Sequence, residues 1–146
     1  MIHAVIELLR RFIEKYWSID TLIRLKADPV TVNAGSTYTD SPISWTAPHD
    51  YLFWGYQIWM GHPLEAHPCE ADFSFTLEDV GTFEGPSYHW HEKAEEKSRV
   101  TVFFTAPVYV RRGTDLTSWR CLINATSSDV TFGDVVLTLF MKYLRW

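Results

Sequence analysis

Two hydrophobic rhythms divide this chain. Over residues 1–17 the apolar side chains fall at Ile2, Val5, Ile6, Leu9, Phe12, Ile13 and Tyr16, the three-to-four spacing of one helical face. Leu8 and Trp17 mark its edges, and His3, Glu7, Arg10, Arg11, Glu14 and Lys15 fall on the other side. The pattern predicts an amphipathic helix about 25 Å long. Glu7 and Arg11, and Arg10 and Glu14, are spaced as i,i+4 ion pairs, each worth roughly 0.2–0.5 kcal/mol.

After Trp17 the period shortens to two, and Pro, Gly, Asn and Asp punctuate short β-rich runs. Strands are predicted at Thr21–Lys26, Val30–Val32, Thr37–Trp45 with a break at Ser41-Pro42, Tyr51–Met60, Ala71–Leu77 and Ser87–His91. Further strands are predicted at Arg99–Thr105, Val108–Arg111, Ser118–Ala125 and Val130–Tyr143, the last bent at Gly133-Asp134. Alternation assigns faces. Val100, Val102 and Phe104 oppose Thr101 and Thr105; Phe73, Phe75 and Leu77 oppose Asp72, Ser74 and Thr76. Trp119, Cys121, Ile123 and Ala125 oppose Arg120, Leu122 and Asn124, and Cys121 is expected on the inward side. In Tyr51–Met60 one face holds Leu52, Trp54, Tyr56, Ile58 and Met60. The other, with Tyr51, Phe53 and Trp59, is nearly as apolar, so this strand is expected to be covered on both sides.

Many short strands and a single helix predict a mainly β chain: a helical arm at 1–17, then one antiparallel β-sandwich over 18–146. The length suits a jelly roll of about eight strands. Hydropathy alone does not separate that from an immunoglobulin-like sandwich, although the Cys…Trp…Cys hallmark of the latter is not met between Cys69 and Cys121.

Two stretches resemble viral single-jelly-roll capsid and structural proteins. One is Val30-Thr31-Val32-Asn33-Ala34-Gly35-Ser36 running into Ile43-Ser44-Trp45-Thr46-Ala47-Pro48. The other is Pro107-Val108-Tyr109-Val110-Arg111-Arg112-Gly113-Thr114-Asp115-Leu116 running into Asn124-Ala125-Thr126-Ser127 and the apolar strand Val135–Tyr143. In both, an extended run meets a glycine turn and re-enters a strand. The helix ahead of them resembles the arm that some capsid proteins place beneath the shell, against a membrane or a neighbouring subunit. The resemblance implies a virion protein assembled in a host cytoplasm.

Composition sharpens the partner question. Seven Trp, seven Tyr and nine Phe in 146 residues exceed what one core of this size can hide, so some rings are expected on a contact surface. The net charge of −5, with no Lys/Arg-rich run, argues against nucleic acid. The start lacks the basic leader and unbroken apolar run of a signal peptide, and no apolar stretch approaches the ~18 residues of a membrane span. Two cysteines make neither a disulfide framework nor a Cys-rich zinc site.

Chemistry-bearing patterns are sparse. His89-Trp90-His91 with Glu95 resembles the first metal motif of cupins, and alternate strand residues share a face. Cupins require a third histidine on a later strand, whereas no histidine follows His91; His62 and His67 lie in a Pro-rich loop. A surface strand ending in a charged turn is the reading adopted, with no metal. No Gly-x-Ser-x-Gly elbow or phosphate-cradling loop occurs. Glu65, Glu70, Glu78, Asp79 and Glu84 read as a solvated face rather than a glycosidase pair. Asn124-Ala125-Thr126 is a glycosylation sequon whose meaning depends on secretion.

The expectation is a non-enzymatic, self-assembling subunit with no cofactor and no small-molecule substrate. Its interface would be built on Ile2, Val5, Ile6, Leu9, Phe12, Ile13, Tyr16, Trp17, Trp54 and Trp59, and its partners would be further copies or other shell subunits. A membrane surface ranks after protein as the dock for the helix, because Glu7 and Glu14 offset its basic residues. The alternative is a lectin-like or cupin-like ligand-binding sandwich, with Trp45, Trp54, Trp59 or Trp90 stacking on sugar.

Overall fold

Strand pairing decides what periodicity leaves open. The computed structural model describes residues 2–16, 18–61, 68–90 and 98–145, and for 12–16, 88–90 and 98 the backbone only. Helix α1 spans Ile2–Tyr16. The strands are β1 (Thr21–Ala27), β2 (Val30–Val32), β3 (Thr37–Asp40), β4 (Ser44–Thr46), β5 (Tyr51–Met60), β6 (Cys69–Leu77), β7 (Gly81–Trp90), β8 (Ser98–Val110), β9 (Asp115–Asn124), β10 (Val130–Phe132) and β11 (Val135–Tyr143).

One sheet has the order β1-β11-β5-β8. The other runs β3-β9-β6-β7, with β4 also on β9, and β2 and β10 form a separate ribbon. Every pairing is antiparallel. The pairs are nested: β1 with β11, β2 with β10, β3 and β4 with β9, β5 with β8, β6 with β7. A long hairpin rolled up so that its rungs fall alternately in two sheets is a jelly roll. The β2–β10 ribbon and the division of one strand into β3 and β4 account for eleven strands among the described residues, where about eight were expected.

The core lies between the inner faces. Phe53, Tyr56, Ile58, Leu137, Leu139 and Met141 from the first sheet meet Phe73, Phe75, Leu77, Leu116 and Leu122 from the second. Aromatic rings bridge the sheets: Phe75 lies 5.0 Å from Tyr56, and Phe83 lies 5.3 Å from Phe53 and 5.8 Å from Phe104. The Tyr56 hydroxyl donates to the Glu84 carbonyl at 2.7 Å, so a buried polar tip is satisfied across the core.

Proline and glycine mislead at the sheet edges. The expected break at Ala106-Pro107 is absent, and β8 is one strand. It is an edge strand, so Pro107 removes no second ladder bond, and residues 104–107 leave the register between the pairs Phe53↔Val108 and Gly55↔Phe103. Similarly β7 begins at Gly81 instead of Ser87. Its Gly85-Pro86 lies on the other edge, where the register shifts between Asp72 and Ser74.

Two face assignments are corrected. In β5 the irregularity at Trp54 switches parity, so Tyr51 and Phe53 point inward before it and Tyr56, Ile58 and Met60 after it. Leu52, Trp54, Gln57 and Trp59 are half-buried on the outer side. Gly55 is obligatory there: its φ is +154°, and a Cβ would come within 2.1 Å of the Val102 carbonyl oxygen. In β9 the inward residues are Leu116, Ser118, Arg120, Leu122 and Asn124, whereas Trp119 and Cys121 lie outside. Arg120 tolerates burial because Asp40 accepts from it twice, at 3.0 and 2.8 Å, and the Asp28 carbonyl accepts a third bond at 3.0 Å.

Candidate functional site

The sequence places its interface on α1 and on two tryptophans of β5, and the structure treats these differently. On α1, Ile2, Val5, Ile6 and Leu9 are 70%, 54%, 56% and 56% exposed, so the sandwich does not cover this part of the apolar face. Leu8 is exposed beside them. Glu7 accepts from Arg10 at 2.9 Å and from Arg11 at 3.3 Å, which orders the polar side. The side chains of Phe12, Ile13 and Tyr16, and all of Trp17, lie outside the described residues. Trp54 and Trp59 are half-buried on the outer face of the first sheet, where the Arg99 guanidinium sits 4.9 Å from the Trp59 ring centroid.

That outer face carries an apolar row missed in the sequence. Leu22 pairs with Phe140, Phe140 with Gly55 and Gly55 with Phe103, so four strands contribute adjacent positions. Leu22 is 64% and Phe103 65% exposed. The Phe103 and Phe140 rings stack at 5.1 Å with 12° between planes, across the position where Gly55 has no side chain. The signal was present in Phe103 and Phe140, which alternate with inward Val102, Phe104, Leu139 and Met141; only the pairing shows that they meet. Arg24, Lys26, Arg99 and Lys142 surround the row, with Lys26 3.9 Å from Asp134 and Lys142 3.0 Å from Asp20.

The outer face of the second sheet is different in kind. Register aligns Glu70 with Ile123, Asp72 with Cys121, Ser74 with Trp119 and Glu84, and Thr76 with Thr117 and Thr82. Trp119 is half-exposed at the centre of this hydroxyl- and carboxylate-rich face. Alternation groups it with Cys121 on the expected inward side, whereas Trp45, a candidate ring, packs against the core. At the β4–β9 edge, Ser44, Trp45, Thr46, Asp115, Leu116 and Thr117 line an open cleft of about 380 Å³, in which Thr46 Oγ1 donates to Asp115.

Among the described residues neither thiol is activated. Burial pushes the Cys121 thiol up, and the nearby Asp72 and Glu70 charges push it further; burial also raises Cys69. Both cysteines are free and lie on opposite faces of their sheet. Among the described residues no three His, Cys, Asp or Glu side chains group as metal ligands. The His89 side chain, His91, Glu95, His62, His67 and Glu65 lie outside those residues. The sequon residue Asn124 is fully buried. Its Nδ2 donates to the Val32, Asn33 and Ser128 carbonyls and its Oδ1 accepts from Thr126, so the amide is a structural clamp. No helix among the described residues is long and apolar enough to cross a membrane.

No family model matches the chain, and no curated protein matches it in sequence. Solved structures of similar fold include the infectious bursal disease virus VP2 subviral particle, at 9% identity and a TM-score of 0.48 over 86% of this chain and 34% of that one. The decameric BFDV capsid protein is 10% identical, with a TM-score of 0.42 over 86% of this chain and 99% of that one. FLHE is 12% identical, with a TM-score of 0.39 over 86% of this chain and 100% of that one. The chain thus spans about a third of the length of the bursal disease virus protein. At identities and TM-scores this low, the architecture rests on the strand pairing itself.

Proposed function

We propose that the chain is a non-enzymatic structural subunit that self-assembles, a jelly-roll building block of a virion shell. The observation that carries this reading is the apolar face of α1, exposed at Ile2, Val5, Ile6 and Leu9 and left uncovered by the chain's own sandwich. Full burial of each large side chain is worth roughly 1.5–3 kcal/mol, so a face this wide favours a partner. The Leu22–Phe140–Phe103 row, exposed at Leu22 and Phe103, adds a second sticky surface. The jelly roll is an architecture that virus shells share with lectins and cupins, so fold alone does not choose among them. The virion assignment adds the resemblance of the two strand–glycine-turn stretches to capsid proteins.

The interface of this reading comprises α1, from Ile2 to Tyr16 with Trp17, together with Trp54 and Trp59. Protein ranks above membrane as its partner, since Glu7 engages both Arg10 and Arg11 and dilutes the attraction to anionic lipid. The competing reading is a carbohydrate-binding sandwich, favoured by Trp119 among hydroxyls and carboxylates.

Sedimentation of the full chain and of Ile6→Asp with Leu9→Asp tests the proposal. The expected result is a wild-type oligomer burying more than about 2,000 Å² in total, and a double variant that melts like wild type but sediments as monomer. A wild-type monomer at high concentration overturns self-assembly. A monomer that also binds a defined glycan, with binding lost in Trp119→Ala, supports the lectin reading. An unchanged oligomer with lost liposome binding makes a membrane the partner of α1.

A further inference from the structure

The strands of the two sheets are oppositely charged. Those of the first, β1, β5, β8 and β11, contain Arg24, Lys26, Arg99 and Lys142 and not one Asp or Glu. Those of the second, β3, β4, β6, β7 and β9, contain Asp40, Glu70, Asp72, Glu84 and Asp115. Their single Lys or Arg, Arg120, points into the core and is committed to Asp40. A packed apolar core separates the two sets, so within one molecule they cannot neutralise each other.

We infer that the basic outer face of the first sheet in one copy docks on the acidic outer face of the second sheet in another copy. This rests on the self-assembly reading and names a second partner surface for it. The faces match in shape and in pattern. Both are regular antiparallel surfaces, and both place an apolar centre between charges. Leu22, Phe140 and Phe103 lie between the Lys142 row and the Arg24 row. Trp119 lies between the Asp72 row and Asp115. Exposed rings at the centre of a charged patch are the arrangement that supplies affinity, while the charges set orientation and encounter rate.

The size of the contact sets its strength. Four strands about 4.8 Å apart and nine residues of about 3.4 Å each give roughly 590 Å² per face. About 1,200 Å² in total is the low end of specific interfaces, so this contact alone is weak and depends on concentration and salt. Being heterologous, it leaves each copy with a free face of the opposite kind, so it propagates until the geometry closes. Lys26 and Lys142 already lean towards Asp134 and Asp20, so Arg24 and Arg99 carry the charge offered to a partner, which suits a discrete acidic patch better than an anionic polymer.

A charge swap in the full-length chain tests the inference by sedimentation velocity. One variant carries Arg24→Glu and Arg99→Glu, the other Glu84→Arg and Asp115→Arg. All four residues are exposed, and the Tyr56 bond uses the Glu84 carbonyl, which substitution retains. Each variant alone is expected to associate at least about tenfold more weakly than wild type. Their mixture is expected to regain association, because the untouched acidic face of the first variant meets the untouched basic face of the second and the two altered faces are again opposite in charge. Wild type should weaken about as much between low and high salt. Far-ultraviolet circular dichroism confirms that each variant is folded, and the salt series tests the contact in wild type should either fail.

Folded variants that associate like wild type, or a mixture that does not recover, overturn the inference. If they do so while Ile6→Asp with Leu9→Asp still dissociates the oligomer, self-assembly stands without this contact. A wild-type monomer at every salt concentration overturns both. Unchanged self-association with lost binding of the Arg variant to phosphatidylserine vesicles shows the basic face to be a lipid surface, and overturns the inference as well.

Discussion

Arg120 shows how one residue can reverse a strand. Its guanidinium is almost fully buried, and Asp40, about a fifth exposed, accepts two of its hydrogen bonds. Removing one partner of such a pair strands the other charge in a place that water does not reach. Asp40→Ala is therefore expected to cost about 3 kcal/mol, the lower part of the range for broken buried pairs, because Asp40 keeps some solvent. Replacing both partners, Asp40→Leu with Arg120→Met, is expected to recover most of that loss, since the desolvation cost leaves with the charges. Urea unfolding of the three proteins checks both outcomes. A double variant as unstable as the single one would show that the pair is needed for more than charge balance.

At the scale of elements, the outermost rung of the roll is fastened by Asp20. Its backbone N–H donates to the Met141 carbonyl at 3.0 Å. Its carboxylate accepts from the Tyr143 N–H and the Thr21 hydroxyl, each at 2.9 Å, and lies 3.0 Å from the Lys142 ammonium. Burial pushes the carboxyl up, but the Tyr143 N–H, Lys142 and Thr21 outweigh it and hold the group below its usual value of 3.8. A folded-state value below the unfolded one means stability that is fully present above about pH 4 and is lost as pH falls through the depressed value. Melting temperatures from pH 7 to pH 2.5 are expected to fall less for Asp20→Asn than for wild type at the acid end, and to start lower at pH 7. Parallel curves would show that the clamp does not sense pH.

At the scale of the whole molecule, the two sheets share one aromatic cluster. Phe75 touches Tyr56 of the first sheet at 5.0 Å and Phe83 of the second at 5.2 Å, and lies 6.5 Å from Phe53. Phe75→Ala is expected to cost about 3–5 kcal/mol through lost burial and the cavity left behind. Because both sheets lean on the same rings, calorimetry is expected to show one transition at a lower temperature. Two separated transitions would mean that the sheets hold themselves together independently.

Hydropathy alone marked the helix, within whose expected span the described residues Ile2–Tyr16 fall, and most of the strands, because periods of 3.6 and 2 are written in it. It determined Tyr51–Met60 and Val30–Val32 to the residue and the break at Ser41-Pro42, and it marked the α1 face whose described residues prove exposed. Strand order settled which edges could absorb Pro86 and Pro107, since a missing donor matters only where a neighbouring strand would have used it. Parity, too, was settled only in three dimensions. β9 has apolar residues on both sides, so alternation alone could not say that Leu116 and Leu122 would win the core and take Arg120 with them; that depended on Asp40, eighty residues away, standing opposite. The Leu22–Phe140–Phe103 row and the opposed charges of the two outer faces were invisible for the same reason. Each is assembled from strands far apart in sequence, and a surface of that kind exists only once register has set them side by side.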